Sequence, residues 1–445
     1  MMPAQLSPML PVTLPRHQID PDAVMVCRRL QEAGFTTYLV GGCVRDIILG
    51  RAPKDFDIGT SATPVQVKRL FRNCRLIGRR FRLAHIHFGP KILEVATFRG
   101  GSEAAEGEDG APGEAFEGEE KQGDLIVRAN NFGTPEQDAL SRDFTVNGLF
   151  YDPIDERVID HVHGYEDIRG GLLRTIGPAA ERFREDPVRI LRAVKFAARL
   201  GFRVEEEALA AMATVAGAIP SCPAPRVTEE LYRIAESGYA EAAFRLMRAT
   251  EVLPVVMPEL SDFIDDDPES GYRHFGVLDR LVRAHGGLPR ELVMAVLFYP
   301  LALRVVEVGG ATTPHAWGLA VEEWFRPAAV RMHVSIKHRL HMRTLLTMMG
   351  RFLGPPGAPG RRRGRLGGHE RRVLPQALTL LRLHYRLYGG CEEAYELWRT
   401  LAIDQGLSWV PIEAPPEDAD AEESGGAPPR RRRRRGRRPA PDQPG

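Results

Sequence analysis

Two carboxylates stand one residue apart in a short apolar run, and their spacing is the strongest chemical signal in this chain of 445 residues. In Lys54-Asp-Phe-Asp-Ile58, residues two apart share one face of a strand, so we expect Asp55 and Asp57 to point the same way. Neighbouring carboxylates repel each other, and Mg²⁺ relieves the repulsion because it binds one or two carboxylates together with substrate phosphates. A solvated turn is the alternative for an isolated Asp-x-Asp.

A glycine pair precedes these acids at the start of a predicted helix. Gly41 and Gly42 follow the apolar run Tyr38–Val40. Glycine lets backbone N–H groups approach a phosphate closely, and a helix N-terminus favours anions. The spacing matches neither the G-x-G-x-x-G of a dinucleotide fold nor the G-x-x-x-x-G-K-[ST] of a P-loop. Together with the acids, the pair predicts a metal-dependent nucleotidyl transfer site; an ordinary turn is the alternative.

A third acid, Glu94, interrupts the apolar strand predicted at residues 92–98. A carboxylate at a strand centre is unfavourable unless it is paired or binds metal. If this strand neighbours the Asp pair, Glu94 completes a three-carboxylate site for two metal ions, one activating the attacking 3′ oxygen and one holding the triphosphate. Pairing of Glu94 with a nearby arginine is an equal alternative.

Two later motifs offer donors and acceptors that suit a nucleotide. In the first, residues 141–149, we expect Arg142 to bind a phosphate, Asp143 to accept from a ribose hydroxyl and Asn147 to orient either. Helix capping and a surface ion pair are the alternatives.

The second motif lies at the start of a predicted helix, residues 187–200. Asp186 and Arg189 are three residues apart, so they share a face and match the acceptor and donor needs of an adenine edge. Arg192 continues that face toward the triphosphate. Capping of the helix is the alternative role for Asp186.

Basic residues with an aromatic among them form a possible RNA surface in residues 73–86. RNA-binding surfaces combine cations for phosphates with rings for stacking, although such a run is often only a solvated face. The candidate residues are Arg79, Arg80, Phe81 and Arg82.

Whole-chain composition leaves the partner class open, because the formal net charge is +1. The charge distribution is more informative: residues 103–120 carry only acidic charges, and residues 430–438 are almost entirely arginine. The five scattered cysteines fit a reduced, cytoplasmic protein and no zinc motif. We expect no signal peptide and no membrane span, because the longest apolar run, Leu292–Leu303, is too short and suits one buried helix.

The pattern of strands and helices that must position these residues predicts an α+β protein. Short strands and helices up to residue 178 suggest a mixed or antiparallel sheet with helices, and helical patterns dominate afterwards. We expect five parts: a flexible leader at 1–19, a head domain at 20–178 with a mobile acidic loop at 101–123, a helical neck at 179–260, a helical body that binds RNA at 261–405, and a disordered Arg-rich tail at 406–445.

The order of these motifs resembles that of the class II nucleotidyltransferases, the family of the CCA-adding tRNA enzymes and the bacterial poly(A) polymerases. The resemblance rests on Gly41-Gly-Cys-Val-Arg-Asp46, Asp55-Phe-Asp57, Glu94–Arg99, Arg142–Asn147 and Glu185–Arg189. The segment Phe71–His85 and the Arg-rich tail are similar to the poly(A)-adding branch.

The resemblance implies a polymerase-β-type head followed by an all-α neck and body. It implies that Asp55 and Asp57 bind metal, with Glu94 or Asp143 as a further acidic member. The residues that it implies to contact ATP are Gly41, Gly42, Arg45, Arg142, Asp186, Arg189 and Arg192.

The resemblance also implies an activity: template-independent addition of AMP from ATP to RNA 3′ ends, with two Mg²⁺ ions. The RNA would be mRNA, small RNA or tRNA precursors. A CCA-adding enzyme is the first alternative, against which the segment Phe71–His85 and the tail argue. A non-catalytic RNA-binding protein on the same scaffold is the second, against which the retention of every required acid argues.

Overall fold

The computed structural model describes residues 9–10, 12–78, 83–100, 132–354, 367–404 and 406–407. Within them a mixed sheet in the first part of the chain is followed by a largely helical part, as the sequence predicts. The described strands are β1 Met9–Leu10, β2 Thr37–Val40, β3 Asp57–Thr60, β4 Cys74–Ile77, β5 Leu83–Phe88, β6 Lys91–Thr97, β7 Leu149–Asp152, β8 Arg157–Asp160, β9 Leu172–Leu173 and β10 Arg203–Val204.

Eight strands form one sheet in the order β1-β8-β7-β2-β3-β6-β5-β4. Antiparallel pairs make up most of it, but β3 and β6 run parallel. That single parallel pair places Asp57 opposite Glu94. The helices around the sheet are α1 Pro21–Glu32, α2 Gly42–Ile48, α3 Pro64–Leu70, α4 Pro135–Ser141 and α5 Gly164–Gly170.

Local sequence explains where these helices begin. Asp20 caps α1 by accepting from the N–H groups of Asp22 and Ala23, with Pro21 in the first turn. Thr63 and Thr134 each form a capping box, with the glutamine three residues later, at the starts of α3 and α4. The sheet-side helices are thus defined by their own first turns.

Helices account for most of the chain after residue 178, with β10 as an exception that pairs with β9. Helix α7 confirms the helix predicted at 187–200, and it buries Val188, Leu191, Val194 and Leu200. These helices are α6 Ala179–Glu185, α7 Val188–Leu200, α8 Glu206–Val215, α9 Ala224–Ala235, α10 Ala240–Ala249, α11 Val252–Val256, α12 Pro258–Asp266, α13 Pro268–His285, α14 Arg290–Leu297, α15 Tyr299–Val308, α16 Pro314–Arg331, α17 Ile336–Leu353, α18 Gly368–Tyr388 and α19 Glu392–Asp404.

The structure corrects three expectations about these elements. The leader is not wholly flexible: Met9 and Leu10 pair with β8, whose outer edge would otherwise leave backbone groups unpaired, and Leu14 is buried. Asp55 precedes β3 and does not share its pleat with Asp57. The run Leu292–Leu303 forms parts of two helices. Helix α14 ends before Phe298, and Pro300 lies in the first turn of α15, where proline is tolerated.

One long helix, α17, is not predicted from the sequence, because basic residues and histidines interrupt its apolar residues. Its buried residues nevertheless face α14, α16 and α18. A continuous hydrophobic core extends from Leu14 in the first part of the chain to Ala402 in α19. The sheet and the helices therefore hold each other in place, which sets the geometry of the cleft between them.

No helix among the described residues is both long enough and apolar enough to cross a membrane.

Candidate active-site cleft

A cleft of about 940 Å³ lies between the sheet and helices α7 and α9. It collects predicted site residues from motifs far apart in the chain. Those that line it are Gly41, Gly42, Arg45, Asp57, Glu94, Arg142, Asp143, Asp186, Arg189 and Arg192. Asp55 is the one predicted member, among the described residues, that does not line it.

The sheet side of the cleft presents carboxylates. Asp57 begins β3 beside Glu94 of β6, which is the strand adjacency that the sequence argument required. Asp57 is exposed in the cleft, yet loss of surrounding water and then the charge of Glu94 raise its pKa, with a smaller contribution from Asp55 and an opposing one from Arg142. The site therefore accumulates negative charge that the protein only partly compensates.

The three-carboxylate metal site is not formed as predicted. Among the described side chains, no three His, Cys, Asp or Glu residues converge into a ready-made metal site. Asp55 lies before the strand, and the neighbour of Glu94 among the described residues is His85, whose Nε2 is 3.5 Å from Oε1 of Glu94. Arg79, Arg80 and Arg82 lie outside those residues, so pairing of Glu94 with an arginine stays an alternative. Mg²⁺ needs only one or two carboxylates when substrate phosphates supply other ligands, so Asp57 with one neighbouring acid fits such an ion.

The helical side of the cleft is a buried chain of paired charges. Oδ2 of Asp143 accepts from Nε of Arg192 at 2.7 Å, and its Oδ1 accepts from Nδ2 of Asn147 at 3.0 Å and from the N–H of Phe144 at 2.9 Å. Burial by itself would raise the pKa of Asp143, but Arg192 and these hydrogen bonds leave it below its ordinary value. Both oxygens of this carboxylate are therefore already engaged.

Arg45 joins the same chain from α2. Its Nη1 donates to Oδ1 of Asn147, and its Nε and Nη2 donate to Oδ1 of Asp46. The other oxygen of Asp46 accepts from Nη2 of Arg199 in α7 at 2.9 Å. Arg45 is thus fixed between the sheet layer and the helical layer.

Gly41 is a glycine because its backbone conformation strains any other residue, and it also lies against Arg142. Gly41 has φ +73°, and a Cβ there would lie 2.8 Å from Nη1 of Arg142. Arg142 itself donates from Nε and Nη2 to Oδ2 of Asp138 and packs over the ring of Phe150. The glycine therefore makes room for an arginine, a role that the sequence argument did not consider beside phosphate approach.

Asp186 and Arg189 lie together where α7 begins, as predicted. Oδ1 of Asp186 accepts from the N–H of Val188 at 3.3 Å, so the alternative capping role has structural support. Its Oδ2 accepts from Nη2 of Arg226 at 2.7 Å. Nη1 of Arg189 donates to Glu185 and to the carbonyl of Arg182, while its Nε and Nη2 donate to no residue in the described ranges.

The sequence did not predict that helix α9 and the ring of Phe196 belong to the cleft. Helix α9 contributes four charged residues at helical spacing, a periodicity that the sequence already contains. The ring of Phe196 lies beneath Arg45 at 5.2 Å and Arg192 at 5.5 Å. The charged residues of α9 in the cleft are Arg226, Glu229, Glu230 and Arg233.

The predicted RNA-contact residues Arg79, Arg80, Phe81 and Arg82, the acidic loop at 101–123 and residues 408–445 of the tail lie outside the described residues. Their roles stay predictions.

Family models match two segments of the chain. The model described as "Poly A polymerase head domain" matches residues 37–174, and "Probable RNA and SrmB- binding site of polymerase A" matches residues 201–264. The first segment contains the sheet carboxylates and the second contains α9.

Curated relatives agree with these matches. The chain is 39% identical over 319 residues to poly(A) polymerase I of Escherichia coli O157:H7, covering 69% of this chain and 67% of that protein. It is 38% identical to poly(A) polymerase I of Haemophilus influenzae, covering 68% of each. A CCA-adding enzyme of Oceanobacillus iheyensis is 33% identical, over 52% of this chain and 54% of that enzyme.

Solved structures show the fold. The CCA-adding enzyme of Bacillus stearothermophilus in complex with CTP matches with a TM-score of 0.61 at 23% identity, over 87% of this chain and 83% of that one. A tRNA nucleotidyltransferase complexed with a primer tRNA and an incoming ATP analog matches with a TM-score of 0.54 at 20% identity, over 86% and 100%. The nucleotidyltransferase head and helical region inferred from the motifs are confirmed.

Proposed function

This chain belongs to the poly(A) polymerase family, which also holds the CCA-adding enzymes, and we propose that it adds AMP from ATP to RNA 3′ ends without a template. In this reaction the RNA 3′ oxygen forms a bond to the α-phosphorus of ATP. The bond from that phosphorus to the β-phosphate oxygen breaks, pyrophosphate leaves, and the hydroxyl proton passes to solvent.

The observation that carries the proposal is the parallel pairing of β3 with β6. It brings Asp57 beside Glu94 on the sheet side of a cleft whose other side holds the start of α7. An acidic sheet edge opposite an arginine-rich helix start provides separate places for a metal-bound triphosphate and for a base. Neither motif does this alone.

We propose that Asp57 holds Mg²⁺, joined by Glu94 or Asp55. The bound metal would supply charge neutralisation of the triphosphate and activation of the 3′ oxygen, with two ions expected. Asp143 suits a positioning role better than a metal-binding one, since both its oxygens accept hydrogen bonds from Arg192, Asn147 and Phe144.

The arginines that this scaffold positions would bind the nucleotide. Arg45 and Arg192 are aligned through Asn147 and Asp143, and Arg142 lies against the Gly41-Gly42 turn. Nε and Nη2 of Arg189 donate to no residue within the described part of the chain. Asp186 beside it accepts from Val188 and Arg226, and its carboxylate has further lone pairs that can accept from a base. We assign Arg189 and Asp186 to the adenine edge, and the others to the triphosphate and ribose.

Polyadenylation is favoured over CCA addition by the extent of similarity. The curated poly(A) polymerases match over two thirds of this chain, whereas the CCA-adding enzyme matches over half of it. The RNA substrates would be the 3′ ends of mRNA, small RNA and tRNA precursors. The resemblance of Phe71–His85 to the poly(A)-adding branch supports the same choice.

A nucleotide panel tests the proposal. Purified protein is given Mg²⁺ with each of the four nucleoside triphosphates and an unstructured RNA, and separately CTP plus ATP with a tRNA lacking its 3′ CCA. We expect long A tails on the unstructured RNA from ATP. Addition of only C, C and A to the tRNA would establish the CCA-adding alternative, and no incorporation at all would leave the non-catalytic one.

We further propose the division into a head at 20–178, a neck at 179–260 and a body at 261–405. The change from sheet to helix supports the first boundary, and the head-domain match at 37–174 lies within the head, whereas the match at 201–264 extends past the second boundary. A cytoplasmic location is proposed on the cysteines, all five of which are free thiols.

A further inference from the structure

A second cavity, of about 1140 Å³, lies in the helical region at the junction of α13, α17, α18 and α19. Within the described ranges, no residue lines both this cavity and the active-site cleft. Helix α10 packs against α7, which borders the cleft, and against α13, which borders the cavity. A layer of helix therefore separates the two places, and the cavity is no extension of the catalytic site.

Arginines dominate two of its walls. Arg273 and Arg280 project from α13, and Arg382 and Arg386 from α18. Arg280 is exposed and has no ion-pair partner among the residues that the structure describes. Nε of Arg382 is buried without a hydrogen-bond partner in the same ranges, while its guanidinium is 5.2 Å from the ring centre of Tyr395. Such arginines attract an anion into the cavity.

An aromatic ring stands at the same opening. Tyr388 is 52% exposed, and the His384 ring behind it, at 5.0 Å, limits its motion. The chain then continues through Gly389 and Gly390 at φ +71° and +72°, where an added Cβ would meet only open space. No side chain from these two positions competes for the ring, so a planar group can stack on it.

Two carboxylates complete the lining and narrow the choice of ligand. Glu392 and Glu393 are exposed in the first turn of α19. The carboxylates of an acidic peptide could not donate to these glutamates, and such a peptide would not need the ring. A nucleotide uses all three features, because its phosphate pairs with arginine, its base stacks on tyrosine, and its amino and hydroxyl groups donate to carboxylates.

We propose that this cavity holds one nucleotide unit of single-stranded RNA, upstream of the 3′ end that occupies the active-site cleft. This inference rests on the proposed function only in taking RNA as the substrate. The base stacks on Tyr388, and the adjoining phosphate pairs with Arg280 and its neighbours. The site would hold the growing strand between additions, and RNA too short to span both sites would not use it.

Substitution of the ring tests the stacking contact. We expect Tyr388→Ala to weaken the binding of a long oligoadenylate by about 5- to 150-fold, the range for loss of one stacked base. Tyr388→Phe should retain the affinity, and Tyr239→Ala, which removes an exposed tyrosine lining neither site, should be neutral. Over a series of primer lengths, AMP addition by Tyr388→Ala should match the parent on the shortest RNAs and fall behind on longer ones.

Substitution of the cation tests the phosphate contact. Arg280→Ala should reduce the slope of log affinity against log salt by about 0.7, the value for one lost contact on a single strand. Arg326→Ala is the matched control, since Arg326 is also an exposed helical arginine but lines neither site.

The outcomes separate this inference from the proposed function. If the parent extends no RNA with ATP, the proposed function fails. If the parent extends RNA and Tyr388→Ala leaves both RNA affinity and the length dependence unchanged, the cavity is not an RNA site. If Tyr388→Ala instead removes one of two sites in an AMP titration while RNA affinity is unchanged, the ligand is a free nucleotide and the RNA assignment is overturned.

Discussion

The two sides of the active-site cleft differ in how their carboxylates are compensated, and the pKa values of those carboxylates shift in opposite directions. On the sheet side, Asp57 lies beside Glu94, and loss of surrounding water together with the charge of Glu94 raises the pKa of Asp57. On the helical side, Asp143 is buried and paired with Arg192, and its pKa is lowered. The first arrangement is destabilising by itself and favours a cation that arrives with substrate. The second stabilises the protein and holds arginines in position before substrate binds.

The comparison predicts its largest effect at Asp57. Asp57→Asn should lose about 10²–10³-fold or more in AMP addition, comparable with removing one group aimed at developing charge. Its thermal midpoint should not fall, because the substitution relieves repulsion from Glu94. Activity assays measure the rate of AMP addition, and thermal melting measures the midpoint. A variant with a lower midpoint than the parent, or with activity within tenfold of it, would contradict the proposed difference between the two sides of the cleft.

Arg192 should behave in the opposite manner. Arg192→Met leaves the buried carboxylate of Asp143 without its cation, and should lower the free energy of unfolding by about 2–3 kcal/mol, below the full range for a broken buried pair because the arginine side chain is 31% exposed. Chemical denaturation measures this. The double variant Asp143→Asn/Arg192→Met should recover part of the loss, and Arg326→Met serves as an exposed control; equal losses in all three would contradict the pairing argument.

Base selectivity should depend on the start of α7. Arg189→Ala or Asp186→Ala should reduce the preference for ATP over the other nucleotides by about 5- to 150-fold, since a good bidentate contact contributes roughly 1–3 kcal/mol of discrimination. Steady-state rates with each nucleotide measure it. If Asp186→Ala lowers the stability of the protein but leaves the preference for ATP unchanged, the main role of Asp186 is to accept the hydrogen bond from the N–H of Val188.

The smallest effect concerns pH. Because the folded pKa of Asp143 lies below its ordinary value of 3.8, this group contributes stability above that pH and loses it as the pH falls through the lower folded value. The stability difference between the parent and Asp143→Asn should therefore be complete at neutral pH and shrink below about pH 4. Denaturation at several pH values measures it, and a difference independent of pH would mean that the Asp143 charge is not responsible.

Several parts of the cleft were predictable because they depend on short-range pattern. The acids at 57 and 94, the glycine pair and the start of α7 are all recognisable in local sequence. The helical character of α9 is visible in its residue spacing, but nothing in that spacing connects its charged face to the site. Its four charged cleft residues reach the site only through the packing of α9 on α7.

Other features depended on contacts between distant segments. The antiparallel β5–β6 register sets His85 beside Glu94, a neighbour that no local pattern indicates. The loss of Asp55 from the cleft follows from β3 starting at Asp57, which is settled by pairing with β2. Likewise, the break at Phe298 and the burial of α17 reflect how neighbouring helices pack.

The sequence by itself determined the kinds of chemistry available: which carboxylates, arginines and glycines exist, at what spacing, and on which helix or strand. It did so because spacing along a regular element decides which side chains share a face. Only the tertiary structure decided which charges meet. Asp57 opposes Glu94 through one parallel strand pair, and Asp143 meets Arg192 across 49 residues. Electrostatic interactions depend on distance in space and on exclusion of water, and the sequence contains neither of these directly.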